Sequence, residues 1–194
     1  MLKNYGSVCN LNFLSKILEK VVLQQVSDHL NATDTLEPFQ SAYRADHRTE
    51  ILLLEVTNDL LMACEQGSVS ILSLLNLSAA FDTLDHNTLL KRLRLNLGIS
   101  GVVLRWLESY LTERNQRVLA EGGASQPTVL KYGVPQGSVL GPVLFTMYIT
   151  PLGHVIRHYN TLYYLFADDT QLHKSSSPGT LLHCCWTSSL VQNL

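Results

Sequence analysis

The chain has few charged residues and lacks an excess of positive charge. Among its 194 residues, 14 are lysine or arginine and 16 are aspartate or glutamate, which gives a formal net charge of -2 at pH 7. A protein that grips nucleic acid through its overall electrostatic field is usually strongly basic. Any contact between this chain and a polyanion must therefore be local.

The sequence also lacks the cysteine pattern of a zinc site or a disulfide framework, since its cysteines form no CxxC pair and no set spaced with histidines. The four cysteines are Cys9, Cys64, Cys184 and Cys185. The first residues lack the apolar core of a signal peptide, and no apolar run approaches membrane-spanning length. We expect an intracellular protein with reduced thiols and no membrane contact.

Apolar residues make up 46% of the chain, which is enough for one hydrophobic core. There is no internal repeat and no long linker, so we expect one compact domain over residues 1–174. Beyond Lys174, a stretch with serine, proline and glycine leads into a segment without acidic residues or a clear amphipathic period. We expect this tail, residues 175–194, to be poorly ordered.

Several segments carry apolar residues at three- and four-residue spacing, the period of a one-sided helix. The pattern predicts helices over 13–30, 87–97, 102–111 and about 138–149, and a second helix that follows Thr49 and is ended by Gly67. Thr49 is expected to cap the second helix, Ser100 the fourth, and Pro142 to lie in the first turn of the last. The expected packing face of the second helix comprises Leu52, Leu53, Val56, Leu60 and Leu61.

Strand patterns occur in three places. Residues 69–75 are apolar on both faces, as in a central strand covered by helices on one or both sides, and lead into Asn76. Residues 162–166 and 170–173 are typical of a hairpin with Ala167-Asp168-Asp169 at its tip. Residues 117–131 predict two further strands around Gly122-Gly123.

The hairpin tip carries two adjacent carboxylates, Asp168 and Asp169. Burying both without a cation would be prohibitively costly, so the pair is either a solvated turn or a metal site. The aromatic and apolar run that leads into the pair makes a Mg²⁺ site competitive with the solvated turn. Asn76 could face the hairpin across the sheet, but it offers a neutral amide; Asp82 is the only carboxylate near it in sequence.

Three segments, in this order, resemble the A, B and C boxes of the reverse transcriptases of non-LTR retrotransposons. They are SLLNLSAAFD at 73–82, GVPQGSVLGP at 133–142 and FADD at 166–169. FLSKILEK at 13–20 and FQSAYR at 39–44 resemble the upstream fingers boxes of the same family. One box alone is weak evidence, whereas the ordered set is highly specific.

The resemblance covers the chain from about Asn10 to about His173 and implies an α+β fold: the fingers and palm of a right-hand polymerase, with a small antiparallel sheet packed on helices. It also implies DNA synthesis from deoxynucleoside triphosphates on an RNA template and a DNA primer, with two Mg²⁺ ions. The metal site implied by the family's motif is Asp168, Asp169 and the position of Asn76. The implied nucleotide-binding residues are Phe81, which would exclude a 2′-hydroxyl, Gln136, Gly137 and Arg44.

Elementary physical chemistry agrees in part with the implied role of residues 133–137. Glycines permit close backbone approach, and a helix N-terminus favours phosphate. A plain entry from a loop into a helix is the alternative. Seven basic residues against three acidic ones between Lys91 and Lys131 indicate either a template-primer track or a solvated helix face.

The sequence departs from the family pattern in two respects. The A box has aspartate where this chain has Asn76, and losing that charge would remove on the order of several kcal/mol of transition-state stabilisation. The family also continues into a thumb, whereas this chain runs into residues 175–194 and stops; we therefore expect a truncated fragment with the thumb missing and little or no polymerase activity. The alternatives are a non-catalytic nucleic-acid-binding or interaction remnant, and a relic that does not fold alone.

Overall fold

A computed structural model describes residues 11–44, 46–120 and 122–178. The described chain separates into two compact units, each formed by two separate stretches. The first unit contains the described residues up to 35 together with 79–148, and the second contains 36–78 together with those from 149 onward. The expectation of one domain over residues 1–174 stays a prediction, and most of the expected tail lies outside the described residues.

The helices and strands are numbered in chain order. The helices are α1 (Phe13–Thr33), α2 (Thr49–Glu65), α3 (His86–Leu95), α4 (Gly101–Leu111), α5 (Gly141–Ile149) and α6 (Pro151–His158). The strands are β1 (Val69–Asn76), β2 (Asn115–Gln116), β3 (Leu119–Ala120), β4 (Gly123–Ala124), β5 (Thr128–Val129), β6 (Leu162–Phe166) and β7 (Asp169–Ser176). No helix in the described ranges is long and apolar enough to cross a membrane.

The second unit is built on a three-stranded antiparallel sheet with the order β1-β7-β6. Helix α2 packs on this sheet through Leu52 and Val56, which form a buried cluster with Tyr164 of β6. The predicted hairpin is confirmed, and its second strand runs on to Ser176. The sheet therefore holds the hairpin tip beside the end of β1.

The prediction that residues 69–75 form a central strand is wrong. In the described part of the chain β1 is an edge strand, because β7 takes the central position. From Ile71 to Asn76 its residues alternate in exposure, and Leu74 is 69% exposed. An apolar run alone does not distinguish an edge strand with one covered face from a strand covered on both.

Two details of the predicted helices are also wrong. Thr49 is the first residue of α2 and not its cap; Arg48 occupies the cap position without a side-chain capping hydrogen bond. Leu53 and Leu61, expected on the packing face, are 57% and 60% exposed. Ser100 is the N-cap of α4 as predicted, although its side chain makes no capping hydrogen bond.

Two predicted segments differ in extent from their predictions, and one helix was not predicted. The last predicted helix begins at Gly141 and not at about 138, and it is followed by α6, which the sequence analysis did not predict. Proline at the start of α6 is compatible with a new helix because the first turn has no use for its missing N–H. The two strands predicted around Gly122-Gly123 are two pairs of two-residue strands, β2 with β5 and β3 with β4.

The start of α5 depends on a carboxylate from α1 in the same unit. Glu19 is 1% exposed, and its Oε2 accepts the backbone N–H groups of Val139 at 2.6 Å and Leu140 at 3.1 Å. The next N–H group, that of Gly141, donates to Ser138 Oγ at 2.9 Å. Three consecutive N–H groups at the entry to α5 are therefore bound by side chains of the protein itself.

We predict that Glu19→Met destabilises the protein by about 2 kcal/mol, because it leaves two N–H groups near α5 without an acceptor. Glu19→Gln is the matched control, since its amide oxygen still accepts both hydrogen bonds. Urea unfolding monitored by circular dichroism measures both free energies. Equal stability of the two variants would contradict this account of the helix entry.

Candidate functional site

Three polar residues lie where the sheet of the second unit ends. Asn76 is the last residue of β1, and its register partner is Asp169, the first residue of β7. Asp168 precedes Asp169 in the turn that follows β6. The chain thus brings together Asn76, Asp168 and Asp169, the three residues expected to form the metal site.

The Asn76 and Asp169 side chains are hydrogen-bonded to each other. The Asn76 amide Nδ2 donates to Asp169 Oδ1 at 3.0 Å, and both residues are exposed. The backbone continues the pairing, since the N–H of Leu77 donates to the carbonyl of Asp168 at 3.0 Å. The end of β1 is therefore tied to the carboxylate turn through both a side chain and the backbone.

As metal ligands, the side chains of Asn76, Asp168 and Asp169 fit one divalent cation better than two. Mg²⁺ is commonly held by one or two carboxylates together with substrate phosphates, and Asp168 and Asp169 supply two. Asn76 adds only an amide, whose nitrogen is turned toward Asp169. Within the described ranges, no group of three or more histidine, cysteine, aspartate or glutamate residues is placed to hold a metal ion. The set is one carboxylate short of a site for two ions.

Tyr43 is a residue near this turn that the sequence analysis did not assign to the site. Its backbone is left-handed, with φ of 57°, which is uncommon for a bulky residue and marks local strain. Partial burial, and after it the negative charge of Asp168, raise the pKa of the Tyr43 phenol above its ordinary value. The phenol thus stays protonated at neutral pH, within the field of the carboxylate. Its only sequence signal was its position in the segment FQSAYR.

In the first unit, Gln136 is paired with Asp82. Gln136 Nε2 donates to Asp82 Oδ1 at 2.9 Å and to Oδ2 at 3.0 Å. This contact joins a residue of the B-box segment to the last residue of the A-box segment. The pairing fixes the direction of the Gln136 amide, and residue spacing alone offered no signal for it.

The backbone of the B-box loop is also docked on the A-box turn. The N–H of Val134 donates to the carbonyl of Phe81 at 2.9 Å, and a side chain on Gly133 would meet the Asp82 backbone at 3.0 Å. His86 Nε2 is hydrogen-bonded to the Gly133 carbonyl at 2.7 Å. Glycine is required at position 133 because the two backbones approach so closely, and because φ there is 85°.

Phe81 is half-buried in the same unit. Its ring lies 4.9 Å from the ring of Phe145 on α5, with the planes inclined by 33°. Phe145 is itself 2% exposed. The buried ring of Phe145 therefore supports Phe81 from one side and limits the positions it can take.

Gly137 is exposed, with a φ of 89° that favours glycine. The N–H groups of residues 139–141, at the helix start that follows, are already bound within the protein, and the role expected of residues 133–137 stays a prediction. Those three N–H groups donate to Glu19 and Ser138. A buried carboxylate at this point also disfavours an anion. A sequence cannot reveal such capping because the acceptor, Glu19, lies about 120 residues away.

The basic side chains expected to contact the nucleotide or the nucleic acid lie in different surroundings. Arg44, in the second unit, is half-buried and donates to the backbone carbonyl of Glu37 at 3.5 Å. In the first unit, Arg92 lies over the ring of Tyr148, with 4.4 Å between the guanidinium carbon and the ring centroid. The basic residues between 91 and 131 that are exposed are Lys91, Arg94, Arg105, Arg117 and Lys131.

Comparison with known proteins gives consistent matches. The family model described as reverse transcriptase (RNA-dependent DNA polymerase) matches residues 2–188. The RNA-directed DNA polymerase from mobile element jockey of Drosophila melanogaster is 33% identical over 182 residues, which cover 90% of this chain and 19% of the relative. The probable RNA-directed DNA polymerase from transposon BS of the same species is 28% identical over 190 residues, covering 94% of this chain and 20% of the relative.

Solved structures match the fold. Apo telomerase from Candida tropicalis, truncated from its C-terminal domain, has a TM-score of 0.64 and 15% identity, covering 92% of this chain and 37% of that one. Telomerase from Candida albicans, in complex with the TWJ fragment of telomeric RNA, has a TM-score of 0.59 and 13% identity, covering 88% and 31%. These matches confirm the expected α+β fold, that of polymerase fingers and palm.

The chain spans about a fifth of the length of the curated relatives it matches. The family model nevertheless covers nearly all of it, and the A, B and C boxes occur in the expected order. The named relatives are polymerases of mobile elements. The chain therefore belongs to the reverse transcriptase family, as a domain of the non-LTR retrotransposon type.

Proposed function

We propose that this reverse transcriptase domain carries the frame of a two-metal nucleotidyl-transfer site and that Asn76 disarms it. The observation that carries the proposal is the hydrogen bond from Asn76 Nδ2 to Asp169 Oδ1. It joins the two residues that are directly opposite each other at the end of the β1 and β7 ladder.

The loss of a negative charge at position 76 explains how Asn76 would disarm the site. An aspartate at position 76 would place two carboxylates opposite each other in register, and such a pair is destabilising unless a cation lies between them. Asparagine removes one negative charge and supplies an N–H donor to the remaining carboxylate. The amide of Asn76 then stabilises the Asp169 carboxylate in place of a cation. On the order of several kcal/mol of transition-state stabilisation is lost with the missing charge.

Separate residues of the chain would bind the metal ions and the triphosphate. Asp168 and Asp169 would hold one Mg²⁺ ion, with the carbonyl oxygen of Asn76 as a weak third ligand, and a carboxylate at position 76 would complete the site for a second ion. When bound, the ions would supply charge stabilisation at the attacking and leaving oxygens. Arg44 would bind the triphosphate of the incoming deoxynucleotide.

The remaining roles concern nucleotide selection. Phe81, supported by Phe145, would exclude a 2′-hydroxyl. Gln136, oriented by Asp82, and the bare backbone at Gly137 would contact the nucleotide and the template. By analogy with the relatives named as RNA-directed DNA polymerases, the template would be RNA and the primer DNA.

A second candidate function is nucleic-acid binding without synthesis. This alternative is favoured by the exposed basic side chains of the first unit, which are Lys91, Arg94, Arg105, Arg117 and Lys131. Such binding would weaken steeply with salt, because each neutralised phosphate releases counterions. Primer extension separates the two functions.

We predict that the chain itself extends a DNA primer on an RNA template with Mg²⁺ very slowly or not at all. Asn76→Asp should raise the rate by about a hundredfold or more, since several kcal/mol of transition-state stabilisation return with the carboxylate. Extension is measured with purified protein, deoxynucleoside triphosphates and a labelled primer.

Two controls make this result specific. Asn58→Asp adds the same charge on the exposed face of α2 and should leave the rate unchanged. Asp168→Asn in the Asn76→Asp background should abolish extension again. Equal rates for the unsubstituted chain and Asn76→Asp, whether both are active or both are inactive, would contradict the proposal that Asn76 disarms the site.

We further predict that Phe81→Val, in the Asn76→Asp background, increases ribonucleotide incorporation relative to deoxynucleotide incorporation by roughly tenfold or more. A smaller side chain no longer fills the space that the 2′-hydroxyl would take. The ratio is measured by primer extension with matched pairs of nucleotides.

The matched control is Phe145→Leu, which weakens the same ring contact from the other side and leaves residue 81 intact. This variant should raise the ratio much less than Phe81→Val does, because the bulky side chain of Phe81 is still present. A ratio that is unchanged in Phe81→Val, or raised as much in Phe145→Leu, would sink the assignment of Phe81.

A further inference from the structure

A short segment before α2 extends the sheet of the second unit. Phe39 and Ser41 flank Leu165 of β6: the N–H of Leu165 donates to the Phe39 carbonyl at 2.9 Å, and the N–H of Ser41 donates to the Leu165 carbonyl at 3.0 Å. Gln40 is the parallel bridge partner of Leu165. Because β7 occupies the other edge of β6, this segment lies on the edge facing away from β7.

The side chain of Gln40 reaches from this segment to the carboxylate turn. It is 1% exposed, and its Oε1 accepts two backbone N–H groups, that of Ala42 at 2.9 Å and that of Ala167 at 3.4 Å. Ala167 directly precedes Asp168, and its φ of 55° lies in the left-handed region. A non-glycine residue remains in that region only where its surroundings hold it.

The turn is thereby held from both sides. The carbonyl of Asp168 accepts the N–H of Leu77, which follows β1, and the N–H of Ala167 donates to Gln40. Two consecutive residues of the turn thus have their backbone groups fixed by two different parts of the unit. A rotation of this backbone would redirect both carboxylates.

The chemistry of Gln40 argues against a role in packing alone. Among the described residues, its Nε2 is buried and has no hydrogen-bond partner. A buried donor without a partner is costly, and leucine or methionine would fill the same space without that cost. What glutamine supplies and an apolar residue cannot is the oxygen that accepts the two N–H groups.

We propose that Gln40 is a positioning residue for the carboxylates of Asp168 and Asp169, acting through the N–H of Ala167. The proposal rests on the metal site proposed above, and it adds a residue that touches neither metal nor nucleotide. Groups that orient metal ligands contribute strongly to metal affinity even though they make no contact with the ion.

Two substitutions separate the two hydrogen bonds of Gln40. Gln40→Asn shortens the side chain by one methylene; its oxygen can still accept the N–H two residues ahead, as in an Asx turn, but it does not reach Ala167. Gln40→Glu keeps the length and the acceptor oxygens. Thr161→Val is the control, because it removes a different buried side-chain hydrogen bond of this unit, from Thr161 Oγ1 to the Tyr159 carbonyl.

The first readout is amide hydrogen exchange in protein labelled with ¹⁵N-alanine, which reports Ala42 and Ala167 together. In Gln40→Asn we expect the Ala167 amide to exchange at least about tenfold faster and Ala42 to keep its protection. Gln40→Glu and Thr161→Val should leave both amides protected. If Gln40→Asn does not fold, loss of Ala167 protection in Gln40→Glu would overturn the proposal.

The second readout is Mn²⁺ affinity in the Asn76→Asp background, measured by isothermal titration. We expect Gln40→Asn to weaken it about tenfold and Gln40→Glu to retain it. Unchanged Ala167 exchange or unchanged Mn²⁺ affinity in Gln40→Asn would overturn the proposal, as would equal effects in Thr161→Val. If Asn76→Asp itself binds no Mn²⁺, the proposed metal site fails, whereas Ala167 exchange still tests the contact with Gln40.

Discussion

The hydrogen bond between Asn76 and Asp169 is the interaction on which the proposed site depends. It closes the antiparallel ladder of β1 and β7 at the end where the carboxylate turn lies. Two carboxylates directly opposite each other at this position would repel unless a cation lay between them. Here the neutral amide of Asn76 donates to the carboxylate of Asp169. On the function proposed above, this contact takes the place of a cation while the arrangement of the site is kept.

In the first unit, the end of the A-box segment packs against the loop of the B-box segment. The loop at Gly133 lies against the backbone of Phe81 and Asp82, and Gln136 is hydrogen-bonded to the Asp82 carboxylate. Phe81 in turn packs on Phe145 of the helix that follows the B box. The residues implied to select the nucleotide therefore hold one another in place, and substitution of one is expected to shift its neighbours.

Local pattern predicted most of the elements, because periodic apolar residues and turn residues act over a few positions. The hairpin with Asp168 at its tip and the helix that begins at Phe13 are examples. What the pattern could not predict depends on partners distant in the chain. The edge position of β1 follows from where β7 pairs, and the capping of the α5 entry by Glu19 joins residues about 120 positions apart. The fold and the order of the boxes were thus accessible from the sequence, whereas the contacts that orient the site were not.

The most direct test of the central claim is the affinity of the chain and of Asn76→Asp for Mn²⁺, measured by isothermal titration together with the melting temperature at each concentration. We predict that Asn76→Asp binds Mn²⁺ at least about tenfold more tightly and is stabilised more by it, because a second carboxylate then faces Asp169. Asp168→Asn in that background should abolish the gain. Equal affinity and equal stabilisation of the two proteins would contradict the claim that Asn76 replaces the need for a cation.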